Sequence, residues 1–255
     1  MLVRAILTYH SLDESGSVIS VAPDVFRRQV EWLAGSGLGV VGLEALLAER
    51  ADAARSESND RVAVTFDDAF SNFASAAWPV LEAHGMPVTV FVPAGHVGGE
   101  NGWERGSGGV PVLPLMDWRT LAELAGRGVT LGSHGLRHPD LRAVSEGALE
   151  EEVAGSAEWI RRETGSEAST FAYPYGACDE RVVRMVRTRY EAAVTTEFRA
   201  LQNGEDPCRL PRLDMYYFRS PGRLESWGTG GFRRYVAMRR GLRRVREFLN
   251  RGSRQ

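Results

Sequence analysis

Two short segments carry side chains that could hold a metal ion. Residues 65–68 read Thr-Phe-Asp-Asp and end in two adjacent carboxylates, and residues 133–139 place His134 and His138 four positions apart. Two imidazoles and one carboxylate form a ligand set for catalytic metals that leaves positions open for water and substrate. The second carboxylate would then serve as a base. Each segment alone is weakly specific, because Asp pairs also cap helices and paired histidines occur in surface turns.

Both segments follow hydrophobic runs that predict buried strands. Strands are predicted at 2–9, 62–66, 88–92 and 129–132. Helical patterns alternate with them at 23–34, 74–84, 118–127, 146–163 and 180–189. Such β–α alternation is typical of a mainly parallel sheet, either open and doubly wound or closed into a barrel. About seven strands over about 215 residues favour a TIM-like barrel, in which functional sites lie at the carboxyl ends of the strands.

Composition excludes several classes of protein. Of the 255 residues, 43% are hydrophobic and 25% are charged, which predicts one large globular domain or two small ones. The formal net charge of −2 argues against a dedicated nucleic-acid-binding protein, so no nucleic-acid partner is expected. All 31 basic residues are arginine, and the chain therefore offers no lysine nucleophile. Cys178 and Cys208 are interpreted as free thiols, because two cysteines are too few for a disulfide framework.

A third motif completes a resemblance to a known family. Residues 171–176 read Phe-Ala-Tyr-Pro-Tyr-Gly, and together with the segments at 65–68 and 133–138 they resemble the polysaccharide deacetylases, also called the NodB-homology or carbohydrate esterase family 4 enzymes. The similarity spans roughly residues 1–215. It implies a distorted (β/α)7 TIM-like barrel. It also implies a divalent metal bound by Asp68, His134 and His138.

The resemblance assigns further catalytic roles. Asp67 would be the general base, and the backbone N–H of Tyr175 would stabilise the oxyanion of the tetrahedral intermediate. Zn²⁺ is the expected metal, with Co²⁺, Ni²⁺ or Fe²⁺ as alternatives for the same ligands. Pro174 fixes its own φ and is expected to stiffen the loop that presents the next amide.

Two departures from the family pattern change the expected site. The family usually has an arginine where this chain has Ala172; Arg212 could replace it from another strand, or could instead form an ion pair with Asp214. The family also usually supplies a late histidine as the acid, but no histidine follows His138. His10, which ends the first predicted strand, is the alternative acid. The poly-N-acetylglucosamine deacetylase branch, with circularly reordered motifs and an early Tyr-His, resembles this arrangement.

Aromatic residues near the motifs are candidates for contact with a sugar. Trp103, Trp118 and Tyr173, together with Pro174, are predicted to line the substrate site, although such residues also occur in cores and rims. Trp103 lies within residues 95–114, which contain seven glycines. This stretch is interpreted as a mobile loop over the barrel mouth or as a disordered surface insertion.

The C-terminal segment is strongly basic. Residues 209–255 contain thirteen arginines and three acidic residues, a local charge of +10. Apolar residues at helical spacing within 232–249 predict an amphipathic helix that either contacts anionic lipid or packs on the barrel. A catalytic domain is therefore expected at 1–220, with a basic helical extension at 221–255. Because residues 1–12 lack a secretory hydrophobic core and no long apolar run occurs, the protein is expected to be cytoplasmic, with peripheral contact at the inner membrane face.

These features predict a metal-dependent hydrolase that removes an N-acetyl group from an amino sugar and releases acetate. A nucleotide sugar, a small glycoside or a lipid-linked sugar would be reachable in the cytoplasm. Deformylation or hydrolysis of a cyclic amide at the same metal site is one alternative. A relative that binds sugar without turnover is another, suggested by Ala172 and the missing late histidine.

Overall fold

Parallel strands form the centre of the fold. The computed structural model describes residues 3–51, 60–104 and 109–252. Its strands are β1 (Arg4–Tyr9), β2 (Gly39–Val40), β3 (Arg61–Phe66), β4 (Val88–Val92), β5 (Thr130–Ser133), β6 (Thr170–Ala172), β7 (Ala192–Phe198) and β8 (Leu210–Asp214). β1 pairs with both β3 and β8, so seven strands close into a parallel barrel, while the short β2 flanks the start of β3. The predicted (β/α)7 TIM-like barrel is confirmed.

Helices surround this barrel. They are α1 (Pro23–Gly35), α2 (Leu43–Ala51), α3 (Trp78–Ala83), α4 (Trp118–Gly126), α5 (Glu146–Glu150), α6 (Ser156–Thr164), α7 (Glu180–Arg187) and α8 (Gly230–Gly252). A π-helical turn at Phe73–Ala77 leads into α3, and another at Glu151–Gly155 joins α5 to α6. The helices predicted at 74–84 and 146–163 are thus each present, with one turn wound more loosely.

Side chains alternate between the two faces of each strand, as the period of a β-strand requires. In β1, Leu7 and Tyr9 join the outer cluster that contacts the helices, whereas Ile6 joins a smaller inner cluster. Leu43 and Leu46 of α2 pack into this inner cluster. The barrel interior is therefore a packed core, and the carboxyl ends of the strands remain to carry the site.

The glycine-rich stretch is tied to the barrel by backbone hydrogen bonds in the part that the structure describes. The amides of Gly95 and Gly98 donate to the carbonyls of Leu136 and Met116, each at 2.9 Å. The buried side chain of Asn101 accepts from the Leu113 amide at 2.6 Å. These bonds hold the loop beside the motif at 133–138.

α8 packs on the barrel through its first turns, which is one of the two arrangements that its sequence predicts. Among the side chains of α8 that the structure describes, three are buried: Phe232, Tyr235 and Val236. Three others are more than half exposed: Met238, Leu242 and Val245. Contact with lipid and the domain boundary at residue 220 stay predictions. Of the helices in the described residues, none combines the length and apolarity needed to cross a bilayer.

Candidate functional site

Three ligand-type side chains converge at the carboxyl ends of β3 and β5. Asp68 follows β3, and His134 and His138 follow β5. The Nε2 atoms of the two histidines lie 3.2 Å apart, and they lie 3.5 and 3.7 Å from Oδ1 of Asp68. All three residues are buried. The structure thus brings together the three side chains that the sequence nominates as metal ligands.

These separations fit a shared cation. In tetrahedral coordination with bonds of about 2.0–2.1 Å, ligand atoms lie about 3.3–3.4 Å apart. The three observed separations, from 3.2 to 3.7 Å, are close to that value. A cation between a carboxylate oxygen and imidazole nitrogens that face one another at such distances in a buried site would stabilise them. The residues therefore fit a divalent metal.

The histidines are held in the form that binds metal. Nδ1 of His134 donates to the carbonyl of Ala172 at 2.7 Å, which leaves its Nε2 as the atom that faces the cluster. Burial lowers the pKa of His134 to about 4, outweighing the opposite effect of Asp67. Burial and the neighbouring His134 also hold the pKa of His138 well below its ordinary value. Both rings are consequently neutral near pH 7, as metal ligation requires.

Unusual backbone conformations mark the same site. Among the described residues, the non-glycine positions with positive φ are Asp68, Ala69, His138 and Tyr175, with φ between 54° and 68°. Each such conformation costs of order 1 kcal/mol and persists only where the surrounding structure enforces it. The strain therefore lies in the three loops that converge on the cluster.

Asp67 lies in a buried ion pair beside these ligands. Nη1 and Nη2 of Arg212 donate to the two carboxylate oxygens of Asp67 at 2.6 and 2.7 Å. Burial acts to raise the pKa of Asp67, but the Arg212 guanidinium outweighs it and holds that pKa well below its usual range. Nε2 of His10 lies 3.6 Å from Oδ2 of Asp67. Of the two partners that the sequence allows for Arg212, the structure pairs it with Asp67, and it is Arg243 that approaches Asp214, at 3.9 Å.

The third motif forms a tight turn over the cluster. The ring of Tyr175 is half exposed and meets the ring of His138 edge-on at 4.7 Å. Gly176 follows with φ of 67°, and a Cβ there would lie 2.4 Å from the backbone nitrogen of Thr196. Only glycine fits this position, so the turn that carries the Tyr175 amide depends on it.

The predicted substrate-contacting aromatics separate into two groups. Trp103 stacks on His138 with ring centroids 4.6 Å apart and therefore lies at the site. Tyr173 is fully buried and its hydroxyl donates to the carbonyl of Cys208 at 2.8 Å, so the prediction that its ring faces substrate is wrong. Its position inside the strand-to-loop transition directs it into the core. Trp118 begins α4 and packs partly buried against the core, while Pro174 forms the buried base of the Tyr175 turn.

Glu152 supports the loop that carries His134 and His138, a role that the sequence does not predict. Its buried carboxylate accepts from the backbone amides of Leu136 and Arg137 at 2.8 and 3.0 Å. It also pairs with the Arg137 guanidinium at 3.3 Å. The run Glu150–Glu152 gives no signal of this role, because three consecutive acidic residues are typical of a solvated helix face.

Comparison with known proteins agrees with this geometry. The family model for polysaccharide deacetylase matches residues 54–191, more than half of the chain. YxkH of Bacillus subtilis is 26% identical over 219 residues, covering 85% of this chain and 71% of that protein. The poly-beta-1,6-N-acetyl-D-glucosamine N-deacetylase of Staphylococcus aureus strain MRSA252 is 22% identical over 204 residues, covering 76% of this chain and 67% of that protein.

Solved structures share the fold. The deacetylase PplD of Streptococcus pyogenes superposes with a TM-score of 0.71 at 21% identity, covering 84% of this chain and 92% of that chain. IcaB of Ammonifex degensii superposes with a TM-score of 0.70 at 25% identity, covering 89% of this chain and 94% of that chain. The matching family model spans all three motifs around the cluster. The chain therefore belongs to the polysaccharide deacetylase family, whose reaction class is carbohydrate N-deacetylation.

Proposed function

We propose that this protein is a metal-dependent hydrolase that removes the N-acetyl group of an amino sugar and releases acetate. The observation that carries the proposal is the position of Asp67, paired with Arg212 directly beside the Asp68–His134–His138 cluster. One carboxylate is thus placed to bind metal and its neighbour to act on a proton. This division of roles between adjacent carboxylates is what amide hydrolysis at a metal requires.

A divalent metal held by these three residues supplies Lewis-acid activation of the amide carbonyl and of water. Asp67 then takes the proton of the attacking water, and a base in this position contributes about 10²- to 10⁴-fold. The Tyr175 amide donates to the oxyanion that develops on the acetyl group. Arg212 keeps the Asp67 carboxylate ionised and oriented.

His10 completes the reaction by protonating the departing amine. His10 directly follows β1 and lies beside Asp67, and its side chain is 21% exposed, so it can reach both solvent and substrate. An imidazole suits this role, because histidine is the side chain that most often serves as a general acid. It replaces the late histidine that the chain lacks.

The aromatic residues beside the metal ligands support sugar binding at this site. Trp103 covers His138, and its indole N–H is buried without a hydrogen-bond partner among the described residues. Tyr175 also contacts His138 and is half exposed. Both aromatic rings beside His138 would therefore contact the N-acetylated sugar.

Zn²⁺ is the metal that these ligands favour, and Co²⁺, Ni²⁺ and Fe²⁺ also accept two imidazoles and a carboxylate. Complete removal of metal by a chelator is expected to abolish acetate release from an N-acetylglucosamine oligosaccharide, and adding back Zn²⁺ or Co²⁺ to restore it. Acetate and formate are measured by mass spectrometry, and metal content by elemental analysis. Undiminished acetate release from metal-free protein would contradict the proposal, and faster release of formate from the matching N-formyl oligosaccharide would identify a different acyl group.

The curated S. aureus relative acts, by its name, on poly-beta-1,6-N-acetyl-D-glucosamine. We propose that this chain also accepts amino sugars carried on a nucleotide or a lipid.

We further propose that α8 contacts anionic lipid in the cytoplasm, because Met238, Leu242 and Val245 form an exposed apolar stripe at helical spacing between arginines. Two copies of so basic a helix would repel each other, which favours an anionic surface as the partner.

Leu242→Asp is expected to weaken binding to phosphatidylglycerol vesicles about tenfold, since it places a carboxylate in the apolar stripe. Deleting α8 would be a poorer test, because Phe232 and Val236 belong to the core. Binding is measured by vesicle sedimentation at fixed salt. Val112→Asp, at another exposed apolar position, serves as the control. Equal sedimentation of the two variants and the wild type would exclude this contact.

A further inference from the structure

A cavity opens at the end of the barrel formed by the carboxyl ends of the strands, outside the site described above. Its volume is about 350 Å³. Six aromatic and basic side chains form most of its lining: Tyr216, Tyr217, Tyr235, Arg219, Arg223 and Arg239. They come from the turn that follows β8, from the segment after it and from α8. Three guanidinium groups therefore surround one polar cavity.

Each guanidinium lies over a tyrosine ring. The Cζ atom of Arg219 lies 3.6 Å from the ring centroid of Tyr216. The Cζ atoms of Arg223 and Arg239 lie 4.4 and 5.6 Å from that of Tyr235, and Arg239 also lies 4.8 Å from that of Tyr217. Nε of Arg219 donates to the Tyr216 carbonyl at 2.9 Å and Nε of Arg239 donates to the Tyr235 hydroxyl at 3.3 Å, so the terminal N–H groups of these guanidinium groups are the donors that would recognise an oxyanion.

Among the described residues, these three arginines differ from Arg240 and Arg243 of α8 in having no carboxylate partner. Within the described ranges, the structure places no carboxylate within 4.0 Å of Arg219, Arg223 or Arg239, and no acidic residue lines their cavity. Arg240 and Arg243 of the same helix have carboxylate partners in Glu197 and Asp214. Like charges gathered around a cavity without a carboxylate are stabilised when an anion enters.

The cavity flanks the proposed catalytic residues. Tyr216 donates its backbone N–H to Asp214 at 3.0 Å, and Asp214 is the register partner of Thr8 in β1, two residues before His10. Gln29 joins the same two elements, accepting from the Tyr9 hydroxyl at 3.0 Å and donating to the carbonyl of Phe218 at 3.2 Å. The basic cavity and His10 thus lie at the ends of the neighbouring strands β8 and β1.

We propose that this cavity binds the phosphoryl group of the substrate, so that the preferred substrate is an N-acetylated amino sugar linked to a diphosphate. This inference rests on the proposed function. A diphosphate carries the multiple negative charge that three arginines complement, whereas a poly-N-acetylglucosamine chain is uncharged. The diphosphate is supplied either by a nucleoside diphosphate sugar or by a sugar on a polyprenyl diphosphate.

The test compares Arg223→Gln/Arg239→Gln with a matched control, Arg233→Gln/Arg234→Gln, which removes the same charge from α8. Calorimetric titration with uridine diphosphate is expected to show a Kd at least about tenfold higher for the first variant than for wild type or control. Two classes of phosphorylated sugar are then compared as substrates, nucleoside diphosphate N-acetylhexosamines and polyprenyl diphosphate N-acetylhexosamines. The KM of the Arg223→Gln/Arg239→Gln variant should rise by a similar factor for the class that is the substrate. Turnover of a neutral N-acetylglucosamine oligosaccharide should be unchanged, which also shows that the variant folds.

Calorimetry does not require turnover, so it separates failure of this inference from failure of the proposed function. The inference is overturned if wild type fails to bind uridine diphosphate, or if all three proteins bind it equally. It is also overturned if the cavity variant loses activity on neutral and phosphorylated substrates alike. Loss of binding only to phosphatidylglycerol vesicles, with unchanged affinity for uridine diphosphate, would assign the arginines to a membrane surface instead.

Discussion

Replacing Asp67 by Asn is expected to lower kcat for acetate release by about 10²- to 10⁴-fold while the protein retains its metal. The amide keeps the size of the side chain but cannot take a proton from water. The metal ligands are the neighbouring Asp68 and the two histidines, so metal affinity should change little. Single-turnover acetate release and elemental analysis of the same sample measure the two properties together.

The matched comparison is Asp68→Asn, one residue along the chain. That variant is expected to lose both metal and hydrolysis, because Oδ1 of Asp68 lies 3.5 and 3.7 Å from the two imidazole nitrogens of the cluster. A fully active Asp67→Asn protein would show that another group is the base. If Asp67→Asn lost metal as readily as Asp68→Asn, the division of roles between the two carboxylates would be wrong.

Much of the site follows from local sequence patterns. The run at 62–66 predicts a buried strand because every residue is apolar or β-branched, and β3 covers it. Carboxylates placed directly after such a strand must emerge at its carboxyl end, and parallel strands bring those ends to one face. The spacing of His134 and His138 within one short loop then indicates that both imidazoles reach that face, whereas the choice of Asp68 over Asp67 as the third ligand rests on the family resemblance.

Contacts between distant parts of the chain could not be predicted in the same way. Arg212 reaches Asp67 across 145 residues of sequence, and the contact exists only because β8 and β3 flank β1 in the closed barrel. The sequence predicts either Asp67 or Asp214 as the partner of Arg212, because both carboxylates lie at the carboxyl ends of strands. The ring of Tyr173 lies in the core rather than at the substrate site, because strand alternation continues one residue past β6. The position where alternation stops depends on tertiary contacts, which the sequence does not show.

Arg212→Gln is expected to lower the free energy of unfolding by about 3–5 kcal/mol, the usual effect of leaving one partner of a buried ion pair alone. Arg212 is 1% exposed, and its guanidinium also donates to the carbonyl of Thr195 at 3.0 Å. Hydrolysis should fall as well, because the Asp67 carboxylate would lose the group that orients it. Urea unfolding at constant pH and metal concentration measures the stability change.

A double variant separates electrostatics from packing. Asp67→Asn combined with Arg212→Gln removes both charges, so the stability lost in Arg212→Gln should be recovered in large part, with a coupling of more than about 1 kcal/mol. Arg212→Lys keeps the charge but loses the two-pronged contact, and should retain stability better than activity. If the two single effects simply added, the ion pair would contribute little, and the positioning of Asp67 would depend on the strand end alone.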